Sequence, residues 1–234
     1  MSDVKVLATT AMKTSFDELA PQFERGSGHR LSLTFGPSLQ LEKRLGEDEA
    51  ADVAIVSAAG VDDLLSRGKL VSGSVVAIAA SSLGVAVPRG APQPDISSAE
   101  AFKRALLAAK SIAVSKPVGG GQSGVHMAKV FARLGIAEQM GAKAKCGTGG
   151  VSGLVGLIVE RGEAEIGVQQ IAELLAVPGV HFVGPLPDEL QSVTPFVAAI
   201  PATAQNADAG RALIAFLTSP AAKRVIKAKG LEPA

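Results

Sequence analysis

The feature that most constrains this chain is an alternation. Short aliphatic runs suited to strands are each followed by a turn of small or hydroxyl-bearing residues, and then by a stretch with apolar residues at helical spacing. Residues 4–8 form the first such run. Phe16, Leu19, Ala20 and Phe23 then put one apolar face on a helix predicted over 12–25. Gly26 and Gly28 end that helix, and 30–35 alternates polar and apolar as a second strand before the turn Gly36, Pro37, Ser38. A helix over 39–45, a buried strand over 51–56 and a helix over 60–66 continue the pattern, with Asp62 and Asp63 suited to the positive end of the last helix. Strands alternating with helices predict an α/β fold with a mostly parallel sheet flanked by helices.

The stretch 75–87 is too long for one ordinary strand and is interrupted by Ser81, Ser82 and Gly84, so it reads as two strands with a crossover between lobes. Pro88, Pro92 and Pro94 mark a loop, followed by a helix over 99–109 and a strand over 111–115. A glycine-rich turn (Gly119, Gly120, Gly121) then opens a helix over 125–134. A loop through Cys146, a helix over 151–161 and strands over 165–169 and 180–183 follow. The segment 192–200 reads as a return crossing, with terminal helices over 208–217 and 221–229 packing on the first lobe. The expectation is two α/β lobes, 1–80 plus 196–234 and 81–195. Two hinge strands near 76–87 and 192–200 would join them, with a ligand cleft between.

Composition removes several function classes. Lys and Arg total 23 against 22 Asp and Glu, with no basic run to track a phosphate backbone, so nucleic acid is not an expected partner. Trp and Tyr are absent, and Phe16, Phe23, Phe131 and Phe216 sit in apolar patterns that suit core packing rather than base stacking. Cys146 is the single cysteine, and His29, His126 and His181 lack metal-ligand spacing, so neither a metal nor a cofactor is expected. No run reaches the roughly 18 apolar residues of a membrane span. The first residues lack the charged and apolar pattern of a signal peptide, which predicts a cytoplasmic protein, or a periplasmic one if a leader has been removed.

In open α/β sheets ligands collect beyond the carboxyl ends of the strands, where loops lead into helix N-termini. Four turns occupy such points: Thr9, Thr10 and Ala11; Gly36, Pro37 and Ser38; Gly121, Gln122 and Ser123; and Thr148, Gly149 and Gly150 before Val151. Small residues let backbone N–H groups approach a ligand, and each helix end adds roughly half a positive charge, a combination that selects an anion. Taken singly, each Ser or Thr is an ordinary helix cap worth about 1 kcal/mol. The run Gly119 to Gly124 lacks the Gly-Lys-Ser/Thr ending of a phosphate loop, and no Gly-x-Gly-x-x-Gly occurs, which argues against a nucleotide.

The segments VKVLATTAMK, LSLTFGPSLQL, EAADVAIVSA, SGVHMAK and VERGEAEIGVQQ, in this order and spacing, resemble the molybdate-type (type II) solute-binding proteins over nearly the whole chain. The resemblance implies two α/β lobes joined by two hinge strands, a small anionic ligand, and delivery to the permease of an ABC transporter. The family's first-loop serine falls on Ala11, its second-loop serine on Ser38, its alanine before glycine on Ser123, its later valine on Val151 and its tyrosine on Gln170. Losing two hydroxyl donors at about 1–3 kcal/mol each implies weakened molybdate binding and leaves room for a carboxylate.

Lys13, just inside the first helix, and His126, one turn beyond Ser123, would suit a carboxylate if they face the cleft. The competing reading makes Lys13 a solvated surface residue and His126 a hydrogen-bonded helix residue. The broad family also contains aconitate isomerases, which shift a proton and a double bond within a tricarboxylate. In that alternative His126 or Lys13 would be the base, with Ser38, Ser123 and the helix ends stabilising developing charge. No Gly-x-Ser-x-Gly or His-Glu-x-x-His motif supports a hydrolase. Ligand sensing or partner binding is the third reading.

Overall fold

The computed structural model describes residues 2–119 and 121–234. Met1 and Gly120, the middle glycine of the turn before Gln122, lie outside the described residues. The chain divides into two compact units, Met1–Ser81 with Thr194–Ala234, and Ser82–Val193. It runs through β1 (Asp3–Thr9), α1 (Lys13–Ser27), β2 (Arg30–Gly36), α2 (Ser38–Gly46), β3 (Val53–Ser57) and α3 (Val61–Ser66) into β4 (Val76–Pro88). The second unit holds α4 (Ala99–Ala108), β5 (Ile112–Ser115), α5 (Gln122–Arg133), α6 (Ala137–Lys143), β6 (Ala144–Gly147), α7 (Val155–Glu160), β7 (Ile166–Gln170), α8 (Ile171–Leu175) and β8 (Val180–Pro185). The chain returns along β9 (Val193–Ala199) and ends in α9 (Ala207–Leu217), α10 (Pro220–Ala228) and β10 (Glu232–Pro233).

In the first unit β1 lies between parallel β2 and β3, and β9 joins β3 antiparallel. Every residue of β3 is buried, as expected for a parallel strand covered on both faces. Leu41, Leu45 and Leu64 from α2 and α3 meet Ala54, Val56 and Val197 in one apolar cluster. Phe16, Leu19 and Phe23 bury the inward face of α1, and the Phe23 ring lies 5.6 Å from that of Phe216 on α9. The C-terminal segment is tied to this sheet by Asp52. One of its carboxylate oxygens accepts from Lys5 N–H at 2.9 Å, the other from Gln205 and Asn206 N–H at 2.9 and 2.6 Å.

In the second unit β5 lies between parallel β6 and β7, and β4 pairs antiparallel with β7 and β8. Phe102, Leu106, Met127 and Phe131 pack with Val85, Val114 and Val168 on one side. Val155, Ile158 and Val159 of α7 pack with Ala86 and Ala113 on the other. A Cβ on Gly167 would lie 2.5 Å from a Val159 methyl, so the bare backbone of β7 lets α7 sit directly on the sheet.

The structure confirms the α/β class with mostly parallel strands flanked by helices and corrects four local expectations. Residues 76–88 form one strand, not two. Gly84 interrupts its pattern because the Phe182 ring would lie 2.5 Å from a Cβ there, a packing reason that imitates a turn signal. The predicted loop through Cys146 is α6 followed by β6, an edge strand too short and too exposed to show an apolar pattern. The helix predicted over 151–161 is a 3-10 turn, Val151–Gly153, and then α7, separated by extended Leu154. The short helix α8 was not predicted, since five residues carry too little periodicity.

Candidate functional site

In the first unit the predicted residues gather at the carboxyl ends of the parallel strands. Thr9 is in register with Gly36, so the first turn lies beside Pro37 and Ser38. Thr9, Thr10, Ala11 and Ser38 are all buried. A 3-10 turn, Thr10–Met12, leads into α1, and extended Pro37 leads into α2, and neither helix has a side-chain hydrogen bond at its N-cap. The ends of α4 and α10 differ, since Ser98 and Ser219 accept from backbone N–H groups in their own first turns. Thr10 Oγ1 and Ser15 Oγ are buried with no hydrogen-bond partner among the described residues.

Ser38 is held by its neighbours. Its Oγ accepts from Ser57 N–H at 3.1 Å, and the Ser57 hydroxyl donates to Glu42 Oε1 at 2.7 Å. With one lone pair occupied by an N–H, the Ser38 proton remains available for another acceptor. Glu42 stands one turn along α2, and its other oxygen occupies the space a Cβ on Gly60 would need, 2.3 Å away. Burial raises the Glu42 pKa from its ordinary value, and the Ser57 hydrogen bond partly opposes that. Lys13 does not stand free, because its ammonium is paired with Asp17 at 2.5 and 2.7 Å, one turn along α1.

In the second unit Ser115 is in register with Gly147, which places the start of α5 beside the loop carrying Gly150 and Val151. Val114 also faces Val168, two residues before Gln170. Gly121, at φ +104, precedes Gln122 in a conformation that a side chain would resist. Ser123 is buried, and its hydroxyl pairs with that of Ser115 at 3.0 Å. A Cβ on Gly124 would lie 2.2 Å from the Lys116 carbonyl oxygen, so the first turn of α5 rests directly on the end of β5. His126 Nε2 lies 2.8 Å from the Leu190 carbonyl oxygen, which makes Nε2 the protonated nitrogen and ties the ring to a segment far along the chain. Gly150 has φ +69, Val151 is exposed and Gln170 is buried.

Behind that loop, Gln169 Oε1 accepts from Val155 N–H at 2.8 Å, satisfying a first-turn donor of α7. Gln169 also hydrogen-bonds Glu173. Burial raises the pKa of that carboxyl from its ordinary 4.5 to about 7, with the Gln169 bond opposing. Sequence reasoning missed Ser57, Ser115, Glu42, Gln169 and Glu173. Ser57 and Ser115 carried a usable signal, a serine ending an aliphatic strand before a helix. The carboxyls carried none, since a Glu on a short helix usually faces solvent.

A separate hollow of about 670 Å³ on the second unit is lined by Val87, Pro92, Pro94, Ala101 and Ala105, with Asp95, Arg104 and Glu165, and shares no residue with the predicted set. Among the described residues no group of three His, Cys, Asp or Glu side chains is arranged to hold a metal ion, and no helix is long and apolar enough to cross a membrane.

Residues 4–232 match the family model described as bacterial extracellular solute-binding protein. The chain belongs to that family. This solute-binding protein is also 34% identical over 238 residues to an aconitate isomerase of a Pseudomonas species, covering 100% of this chain and 88% of the relative. Its fold is shared with the periplasmic molybdate-binding protein of Azotobacter vinelandii, at TM-score 0.78 and 21% identity over 97% of this chain and 98% of the other. A sulfate-binding protein of Mycobacterium tuberculosis has TM-score 0.74 at 15% identity over 100% of this chain and 88% of the other.

Proposed function

We propose that this solute-binding protein binds a small organic polyanion, a carboxylate of the aconitate class, at strand-end turns that lead into helices. The observation carrying this reading is that α2 and α5 each open at the end of a parallel strand with a buried serine and no side-chain cap. Backbone N–H groups, helix dipole and hydroxyl there offer donors suited to a carboxylate. The residues proposed to contact ligand are Thr9, Thr10, Ala11, Pro37 and Ser38 in the first unit and Gln122, Ser123, Gly150, Val151 and Gln170 in the second. Ala11 and Gln170 lack the hydroxyls of the molybdate pattern, which favours a carboxylate over a tetrahedral oxyanion. If the ligand is handed on, its recipient is an ABC transporter permease.

A thermal-shift series with molybdate, sulfate, citrate, cis-aconitate and trans-aconitate tests the reading. A ligand at 100 times its Kd stabilises by about 2.7 kcal/mol. A shift confined to the oxyanions removes the carboxylate reading.

The full-length identity to an aconitate isomerase favours a second reading, in which the bound tricarboxylate is turned over. Proton NMR of cis- or trans-aconitate incubated with the protein tests this directly, and absence of interconversion leaves a binding protein. Under this reading His126 and Lys13 were the expected bases. Their bonds to the Leu190 carbonyl and to Asp17 favour holding and orienting roles for both.

A further inference from the structure

We propose that Ser57 and Glu42 form the proton relay of the isomerisation, with Ser57 touching the substrate and Glu42 acting through it. This rests on the second reading above, that an aconitate-class substrate is turned over.

Three observations carry it. Ser57 ends β3 in the strand beside β1, and its N–H holds Ser38 Oγ, so the two serines form one unit at the carboxyl end of the sheet. Its hydroxyl is already aimed at a carboxylate oxygen 2.7 Å away. Ser57 is 1% exposed whereas Glu42 is only partly buried, so the pair connects a buried hydroxyl to a carboxyl that exchanges protons with solvent.

The surroundings of Glu42 fit a proton-carrying role better than a structural one. It has no ion-pair partner among the described residues. On its own helix Lys43 pairs with Glu47 and Arg44 with Glu49. Of the elements packed on α2, β1 carries Asp3 and Lys5 at its start, and α3 carries Asp62 and Asp63, the latter paired with Arg67. β3 carries no charged residue. Burial is the main cause of the raised pKa, and no neighbouring charge contributes to it. A carboxyl held nearer neutrality is better matched to moving protons than one locked in an ion pair.

The step balances without a co-reactant. As a proton leaves the substrate carbon for Ser57 Oγ, the Ser57 hydroxyl proton moves to Glu42. The C–H pair becomes the new C=C bond, and the former C=C pair moves to the far carbon, where its charge is stabilised by the adjoining carboxylate and the helix N-termini. Return of a proton from Glu42 through Ser57 to that carbon forms the new C–H bond. Nothing is oxidised or reduced.

The test measures kcat and KM with trans-aconitate from low to neutral pH, alongside the ligand-induced thermal shift. Glu42→Gln and Ser57→Ala are expected to lower kcat by about 100-fold, with KM changed less than about 3-fold. Glu42→Asp should restore part of the loss. In the wild type kcat should rise as pH climbs and Glu42 ionises, a limb that Glu42→Gln lacks. Gly60→Ala, which presses a methyl onto the carboxyl, is expected to lower kcat by about 10-fold without altering α2 or β3, and it keeps the test open if Glu42→Gln misfolds. A wild-type protein without conversion overturns the second reading and the relay with it. An active wild type, with Glu42→Gln or Gly60→Ala close to it in kcat and pH profile, overturns the relay alone.

Discussion

Glu42 and Glu173 are one carboxyl from each unit, and burial raises the pKa of both, yet they stand behind different things. Glu42 meets the hydroxyl of Ser57, whose N–H holds Ser38, so its influence reaches a side chain at a strand-end turn. Glu173 meets the amide of Gln169, which holds the first turn of α7, so its influence reaches backbone. The serines in front differ in the same way. Ser38 has a backbone N–H fixed on its oxygen, whereas Ser123 shares a bond with another rotatable hydroxyl, that of Ser115. A raised pKa therefore does not by itself mark chemistry.

The largest effect should come from breaking the first unit's chain of bonds. Glu42→Gln is expected to reduce turnover about 100-fold, and a loss equally large in Ser115→Ala would abolish the asymmetry between the units. Next, Ser38→Ala should weaken trans-aconitate binding about 30-fold by calorimetry, because it removes a donor proposed for the ligand and also strands the Ser57 N–H. Ser123→Ala should weaken it only about 5-fold, since the Ser115 hydroxyl can turn to a new partner. Equal losses would show that the fixed N–H contributes nothing.

The smallest effect concerns Glu173. Folded, it keeps its proton up to about pH 7, whereas unfolded it releases it near 4.5. The folded state therefore binds more protons between those values, and stability falls as pH rises through them. The partly exposed side chain limits the effect to about 1.5 kcal/mol. Urea denaturation should show wild type losing that much relative to Glu173→Gln between pH 5 and pH 8. A pH-independent difference between the two would make Glu173 an ordinary hydrogen-bonding residue.

Most of the regular structure was legible because it is locally encoded. The helical spacing of Phe16, Leu19 and Phe23, and the glycine and proline punctuation, act over a few residues and mark elements whose ends shift only slightly in the structure. Residues 76–88 misled because Gly84 answers to Phe182, a contact invisible to local reading. The engagement of Lys13 by Asp17 was available as an i,i+4 pair, whereas that of His126 by Leu190, 64 residues away, was not.

By itself the sequence determined that this chain would be α/β, with small and hydroxyl residues where parallel strands feed helices, because periodicity and turn chemistry are properties of short segments. Only the tertiary structure decided what those hydroxyls are bonded to. Ser57 lies 19 residues from Ser38 and 15 from Glu42, and Ser115 lies eight from Ser123 across a turn. Such pairs form when parallel strands come into register and bring their ends together, and one-dimensional spacing does not record that event.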